Sequence, residues 1–486
     1  MSCVLRQLAR PSGLLVAGAA IACLAGCHAG PDYRPPAVPP GAEAPWVSLD
    51  SSLETSAAPP QAWWRLYDDT RLDGLVHEAL AANRDLAAAD ANFAAARAAL
   101  TAVHAQRYPS TAAVAAGVYG RDPTTDEILE LGGHEPQTLW LFDDVFEAAY
   151  EVDLFGRVHR AVEQASASAA SVAAARDSVR ILVAAETARD YAEICALGEQ
   201  LAVARHSLDI VTRESDISEQ RYQAGANSQF DVQRSRALVS QVSATIPQLE
   251  GLRRAALFEV TALLGRTPVN APHELETCAT PLHLNALIPV GDGRALISRR
   301  PDVRQAERRL AAATAATGVA TADLYPTIRL TAFVGGAATE VSQLTSNDAR
   351  IWGVGPSISW SFPNQMGARA RVRQTKAAQV AALASFDSVV LTALKETEQA
   401  LSTYRATLDN RQALVDAQGS IHKSYDIARE EFAAGSLSSL DLLTTEQSLV
   451  ALDAAVAASD AALVRDQIAV FKALGGGWER EASQAH

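Results

Sequence analysis

The stretch Arg221-Tyr-Gln-Ala-Gly-Ala-Asn-Ser-Gln-Phe-Asp231 decides how this chain is read, because it returns as Glu431-Phe-Ala-Ala-Gly-Ser-Leu-Ser-Ser-Leu-Asp441. In each copy a helix ends on a glycine, Gly225 or Gly435, which takes a left-handed position without a Cβ penalty. Ser228 or Ser438 then caps the next helix. Asp231 or Asp441 follows three residues on, near the positive end of that helix. Each stretch is therefore a hairpin tip between two helices, and the two glycines stand 210 residues apart.

Other landmarks recur at nearly the same distance. Tyr108-Pro109 returns as Tyr325-Pro326, Arg84-Asp85-Leu86 as Pro301-Asp302-Val303, Phe155-Gly156-Arg157 as Met366-Gly367-Ala368, and Leu264-Gly265 as Leu474-Gly475. Two copies are too few for a solenoid and describe a duplicated unit. The expected layout is a leader over 1–26, a Pro-rich anchor segment over 27–62, a first repeat over 63–265, a connector over 266–293, a second repeat over 294–475 and a mobile tail over 476–486.

Ahead of the long helix and tip of each copy the period of the pattern changes. Phe146, Ala148, Tyr150, Val152 and Leu154 alternate with Glu147, Ala149, Glu151 and Asp153. Trp352, Val354, Pro356, Ile358, Trp360 and Phe362 alternate with Gly and Ser, and Ile328 to Val334 alternate less cleanly. With a further strand over about Ser110 to Tyr119, each copy carries one hairpin, joined by polar loops at about Arg121 to Gln137 and Ala337 to Arg350. Such alternation suits either a half-buried soluble sheet or a transmembrane barrel wall. Four strands cannot close a barrel, since the smallest have about 8, and an open sheet cannot stand in lipid with unpaired edges. A membrane reading therefore demands several chains per barrel.

Each strand pair precedes a very long helix, Arg157 to Gln223 or Gly367 to Ala434; the first would reach roughly 100 Å at 1.5 Å per residue. Shorter helices return after the tips over Asp231 to Leu264 and Asp441 to Leu474, and Pro247 inside the first would kink it or leave a bulge. The helices before the strands, Asp85 to Arg107 and Asp302 to Leu324, make up the remaining length. The expectation is paired rods, with strands at one end and Gly tips at the other.

Composition narrows the partners. The 486 residues carry a formal net charge of −14, which argues against nucleic acid. Residues 1–26 read as a targeting segment: Arg6 and Arg10 supply the charge, and Leu14 to Leu24 form an apolar core too short to span a membrane. The segment closes with Leu24-Ala25-Gly26-Cys27, which resembles a bacterial lipobox in which the cysteine becomes the lipidated first residue. Cys195 and Cys278 lie far apart with no metal-type spacing, and are read as free or buried thiols.

No catalytic set is found. His77-Glu78 lacks a second His at metalloprotease spacing, and no nucleophile elbow, phosphate loop or dinucleotide fingerprint occurs. No cofactor or metal is expected. Arg299, Arg300, Arg304, Arg308 and Arg309, interleaved with Asp302 and Glu307, read as a solvated, ion-paired helix face or, as the sharper alternative, a ligand patch facing a lumen.

Taken in order, Cys27, Gly30-Pro31-Asp32-Tyr33, Trp63-Trp64, Glu151-Val-Asp-Leu-Phe-Gly-Arg157, Arg299-Arg-Pro-Asp302 and the two tips resemble the TolC-like outer-membrane efflux channels, in their lipoprotein branch. The resemblance covers about Cys27 to Leu474. It implies a mainly α fold with a β-barrel part: a homotrimer forming one twelve-stranded outer-membrane barrel continuous with a long periplasmic helical barrel. It also implies an outer-membrane location with palmitate-type lipidation at Cys27, and passive export of drugs or other small molecules. The partners would be outer-membrane lipid, an inner-membrane pump and a periplasmic adaptor (a membrane fusion protein). Gly225, Ser228, Gly435 and Ser438 would be adaptor-contact tips. Asp441 matches an acidic residue lining the family's closed aperture, a second acidic ring of some relatives falls on Thr444, and Asp231 is either a related gate residue or a helix start alone. The latch positions between hairpins correspond to Phe230, Phe432 and Leu437, so apolar packing is expected there. Two other classes compete: a lipid-anchored coiled-coil protein that stiffens the envelope, which leaves the strand hairpins unexplained, and an anchored envelope enzyme, which lacks a site.

Overall fold

The alternating segments form one sheet. The computed structural model describes residues 29–48, 54–55, 57, 60–121, 127, 130–133, 135, 138–284 and 287–476. Its strands β1 (Ser110–Gly120), β2 (Leu139–Val152), β3 (Thr327–Ala338) and β4 (Arg350–Ser359) are antiparallel in the order β1-β2-β3-β4. β2 starts earlier than its sequence alternation shows, because Leu139 to Phe142 pair with β1 across Gly117 to Gly120.

The register sorts the side chains. Phe146 faces Ala113 and Val334, and Val334 faces Trp352; Tyr150 faces Leu330, which faces Pro356. Residues of like parity share a face, so this face is apolar over those rows, with Asp144 and Arg350 in the next row, opposite Gly336. The other carries Glu147, Phe333 and Gly353 in one row, and Glu151, Arg329 and Ser357 in another. Phe333 lies over Gly353, with a ring carbon 2.7 Å from where a Cβ would stand.

The helices come in two matched sets. The first is α1 (Thr70–Ala82), α2 (Arg84–His104), α3 (Arg157–Gln223) and α4 (Gln229–Leu263); the second is α5 (Gly293–Arg299), α6 (Pro301–Ala322), α7 (Met366–Ala433) and α8 (Ser439–Ala473). The long members have 67 and 68 residues and the return members 35 each. Pro247 sits inside α4, which continues on both sides of it. The fold separates into two compact units, and each takes segments from both sequence repeats. One joins described residues up to Pro36 with Ala94–Ser171 and Ala306–Ser385; the other joins Ala37–Phe93, Val172–Gln305 and the chain from Phe386 onward.

In the first unit the strand-to-helix junction explains its sequence motif. Glu151 pairs with Arg157 through two bonds of 2.7 Å, while the Asp153 carboxylate accepts from the amides of Val158 and His159 at the start of α3. The start of the Pro-rich segment is held in place: the Ala29 amide donates to the Phe155 carbonyl, Arg160 pairs with Asp32 at 2.5 Å, and the Tyr33 hydroxyl donates to Glu307. Cys27 lies outside the described residues, as do residues 477–486 of the tail.

In the second unit two expectations are corrected. Cys195 and Cys278 are not free thiols; they form a disulfide between α3 and the connector, with their Cα atoms 4.7 Å apart. The sequence separation of 83 residues hid the pairing. Gly198, one turn from Cys195, makes room for it, because a Cβ there would stand 2.0 Å from the Cys278 carbonyl oxygen, and Arg253 donates to that same carbonyl. Nor is Arg300 solvated. It is buried, pairs with Asp302 and Glu396 at 2.7 and 2.8 Å, and donates to the Ala473 carbonyl at the end of α8. That C-terminal carbonyl is a negative helix end, which a buried guanidinium both satisfies and stabilises. Trp63 is fully buried, stacked 4.9 Å from Phe471.

Candidate functional site

The two tips are built alike. The Gly225 amide donates to Tyr222 and that of Ala226 to Arg221; the Gly435 amide donates to Phe432 and that of Ser436 to Glu431. This pair of bonds closes a Schellman turn, which needs a left-handed residue at its glycine, and φ is +77° and +78° at Gly225 and Gly435. Ser228 accepts from the Asp231 amide and donates to the Asp231 carboxylate at 2.6 Å; Ser438 and Asp441 repeat both bonds. Asp231 also accepts from the Ser228 amide, completing a capping box. Thr444, exposed on the next turn, donates to the Leu440 and Asp441 carbonyls. Thus the structure gives Asp231 and Asp441 a helix-start bond each, worth about 0.3–1 kcal/mol at an exposed end.

Just behind the tips the two hairpins meet, and not through apolar packing alone. The Arg221 guanidinium lies 3.8 Å from the centroid of Phe432 and donates to the Phe432 carbonyl at 3.0 Å. Phe432 is buried in a cluster with Tyr425, Ala428, Leu442 and Leu449, against which Leu437 packs. Phe230 is 68% exposed and belongs to no such cluster, with Arg234 above its ring. Phe432 therefore meets the other hairpin through a cation–π contact and a hydrogen bond, the cation–π part worth about 0.5–2 kcal/mol when partly desolvated. Of the three positions the resemblance named, Phe432 and Leu437 lie in this contact and Phe230 does not, and Arg221 was not among them.

A second feature escaped the sequence reading. Buried polar residues recur every seven positions on α8, at Glu446, Asp453, Asp460 and Gln467. Residues at the same spacing on α7 oppose them in antiparallel order: Tyr425, Gln418, Arg411 and Tyr404. Arg411 pairs with Asp460. Gln418 and His422 both bond Asp453 at 2.8 Å. Gln467 accepts from Tyr67, which lies beside Tyr404. Seven-residue spacing is the signature of supercoiled helices, but a scan for apolar periodicity passes over a polar seam. Two acids of α3 face this seam. Burial, then the nearby Asp460, pushes the Glu199 carboxyl up to about 7; burial, then Glu214, pushes Glu446 up to about 8.

The same elements identify the family. The model of the family described as outer membrane efflux protein matches residues 75–266 and 294–476, one match for each tip-bearing half. The chain belongs to that family. It is 28% identical over 466 residues to the toluene efflux pump outer membrane protein TtgC of Pseudomonas putida, covering 95% of each chain, and 27% identical over 460 residues to nodulation protein T of Rhizobium leguminosarum bv. viciae, covering 94% and 92%. The outer-membrane channel OprN superposes with a TM-score of 0.87 at 33% identity, over 93% of this chain and all of that one. The protein is accordingly an outer-membrane efflux channel, and the family is one of transport channels rather than enzymes.

Proposed function

We propose that three copies of the chain close one twelve-stranded barrel in the outer membrane and form a passive duct for drugs or other small molecules. An inner-membrane pump drives this export through a periplasmic adaptor. The observation that carries this reading is the sheet. Its apolar face is bare, with Trp352 75% and Ile358 69% exposed, and β1 and β4 each pair on one side only among the described residues. Lipid suits that face, but unpaired edges do not survive in lipid, and twelve strands from three copies fall within the range of known barrels. The helices support self-association too: α7 holds a stretch of mean hydropathy 1.6 of which only 17% is buried within one chain. Cys27 would carry the lipid, Gly225, Ser228, Gly435 and Ser438 would meet the adaptor, and Asp441, with Thr444 and Asp231 nearby, would line the aperture.

The mass of the detergent-solubilised protein tests assembly: a trimer is expected, and a monomer that still conducts ions overturns the reading. Charge placement tests the lipid face. Val354 is mid-strand and Ile358 lies one pair from the end of β4, so Val354→Arg should cost about 2–4 kcal/mol and Ile358→Arg about 0–1. Equal tolerance of arginine at Val354 and at Gly355, on the opposite face, would refute it. Cys27→Ser should abolish lipid labelling. Gly435→Trp should stop export while trimers still form. Asp441→Asn should lower cation selectivity in planar bilayers, and unchanged selectivity leaves Asp441 a helix cap alone.

A further inference from the structure

We propose that Glu446 makes the tip end of the α7–α8 hairpin proton-sensitive: with its carboxyl neutral α8 seats against α3 and α7, and ionisation parts them. The seam gives each lower rung a partner. Asp460 has Arg411, Asp453 has Gln418 and His422, and Gln467 has Tyr67. The rung nearest the tip breaks this rule. Glu446 is 2% exposed and its Oε1 has no hydrogen-bond partner. It lies beside the cluster of Tyr425, Phe432, Leu442 and Leu449, whose one hydroxyl, that of Tyr425, bonds Glu214 instead.

The charged groups around it compensate its neighbour instead. From α3, Glu214 faces Glu446 and repels its charge. From α7, Arg429 and the Tyr425 hydroxyl act on Glu214, as does Arg221 from α3, and Asp426 adds a further negative charge near Tyr425. Toward α4, the cluster around Leu443 is apolar, formed by Val211 of α3 with Leu238 and Val242 of α4. Burial raises Glu214 as well, but Arg429, Arg221 and the Tyr425 hydroxyl pull it back down, whereas Glu446 is buried beside that carboxyl with no such compensation. Such a group stays seated only as the neutral acid.

The direction with pH follows. The carboxyl is raised from 4.5 to about 8 where it is seated. Below pH 4.5 it is protonated whether seated or parted, so seating carries no penalty. As pH rises above that value the parted form releases its proton while the seated form must keep it. Seating weakens throughout this window, and the loss is complete above about pH 8.

Hydrogen exchange on the full-length protein tests this, with protection corrected for the intrinsic rate at each pH. In the wild type, amide protection over Leu442 to Val450 should fall about tenfold or more from below pH 4.5 to above pH 8, with α4 amides as the internal control. E446Q and E446L should hold that protection across the range, and E214Q should shrink the fall by removing the repulsion. A wild type without the fall, or a fall that persists in E446Q and E446L, overturns the proposal. The probe reads one hairpin and requires no transport, so either result leaves the efflux-channel reading standing.

Discussion

The two tip hairpins share length, turn and cap, yet they are held together differently. The α3–α4 seam is built from small and aliphatic residues: Val211, Leu238 and Val242, with Ser215 and Ser235 in contact. Its ion pairs, Arg205–Glu250 and Arg236–Glu219, lie at the margin in solvent. Its firm attachment is covalent, through Cys195 to the connector. The α7–α8 seam instead buries its polar groups, rung by rung, and its sequence has no cysteine. Repetition of a backbone plan therefore did not repeat the means of stabilising it. The first copy is anchored at a point and the second along a line.

The largest effect should come from that point. Cys278→Ser reopens a loop closed across 83 residues; chain entropy sets an upper limit of about 4–5 kcal/mol on the loss. Exchange should rise in α3 around Cys195 and in the connector, with α7–α8 amides unchanged. Next, Asp460→Ala should cost about 2–3 kcal/mol, read as faster exchange in α8, because it strands Arg411 and a pair this buried is expensive to break from one side. The matching cut in the first hairpin, Glu250→Ala, should cost less than about 1 kcal/mol, since both partners are exposed. Equal losses from these two cuts would erase the distinction between the seams. Arg221→Ala, which removes the bridge between the hairpins, should cost about 0.5–2 kcal/mol and raise exchange at Phe432 and Ala433. The smallest difference is expected at the tips themselves. Gly225→Ala and Gly435→Ala should each cost about 1 kcal/mol, because both glycines are left-handed and a Cβ at either meets open space.

What the sequence disclosed was local or periodic. Gly225, Ser228 and Asp231, and their copies, encode a turn within a few residues, and the structure adds only the bonds. The strand alternation placed three of the four strands, with β2 begun too late, and Asn83 caps α2 by accepting from the Leu86 amide. What stayed hidden depended on the fold bringing distant residues together. Cys195 finds Cys278 only after the connector crosses α3 at Gly198. Arg300 looks like one of five surface arginines until the end of α8 arrives above it. The α8 seam was periodic and legible in principle, but Glu446, Asp453, Asp460 and Gln467 are residues one assigns to the solvent side of a helix.

The seven-residue ladder also limits how this hairpin could change its length over evolution. Inserting one residue in α7 or α8 would turn every rung beyond it by about 100° and separate Arg411 from Asp460 or Gln418 from Asp453. Insertions or deletions that keep the rungs facing would have to come in sevens and be matched in both helices. The α3–α4 seam, with aliphatic and serine side chains that accept several neighbours, carries no such rule. Natural length variation between relatives should therefore collect in the first hairpin and leave the second at constant length.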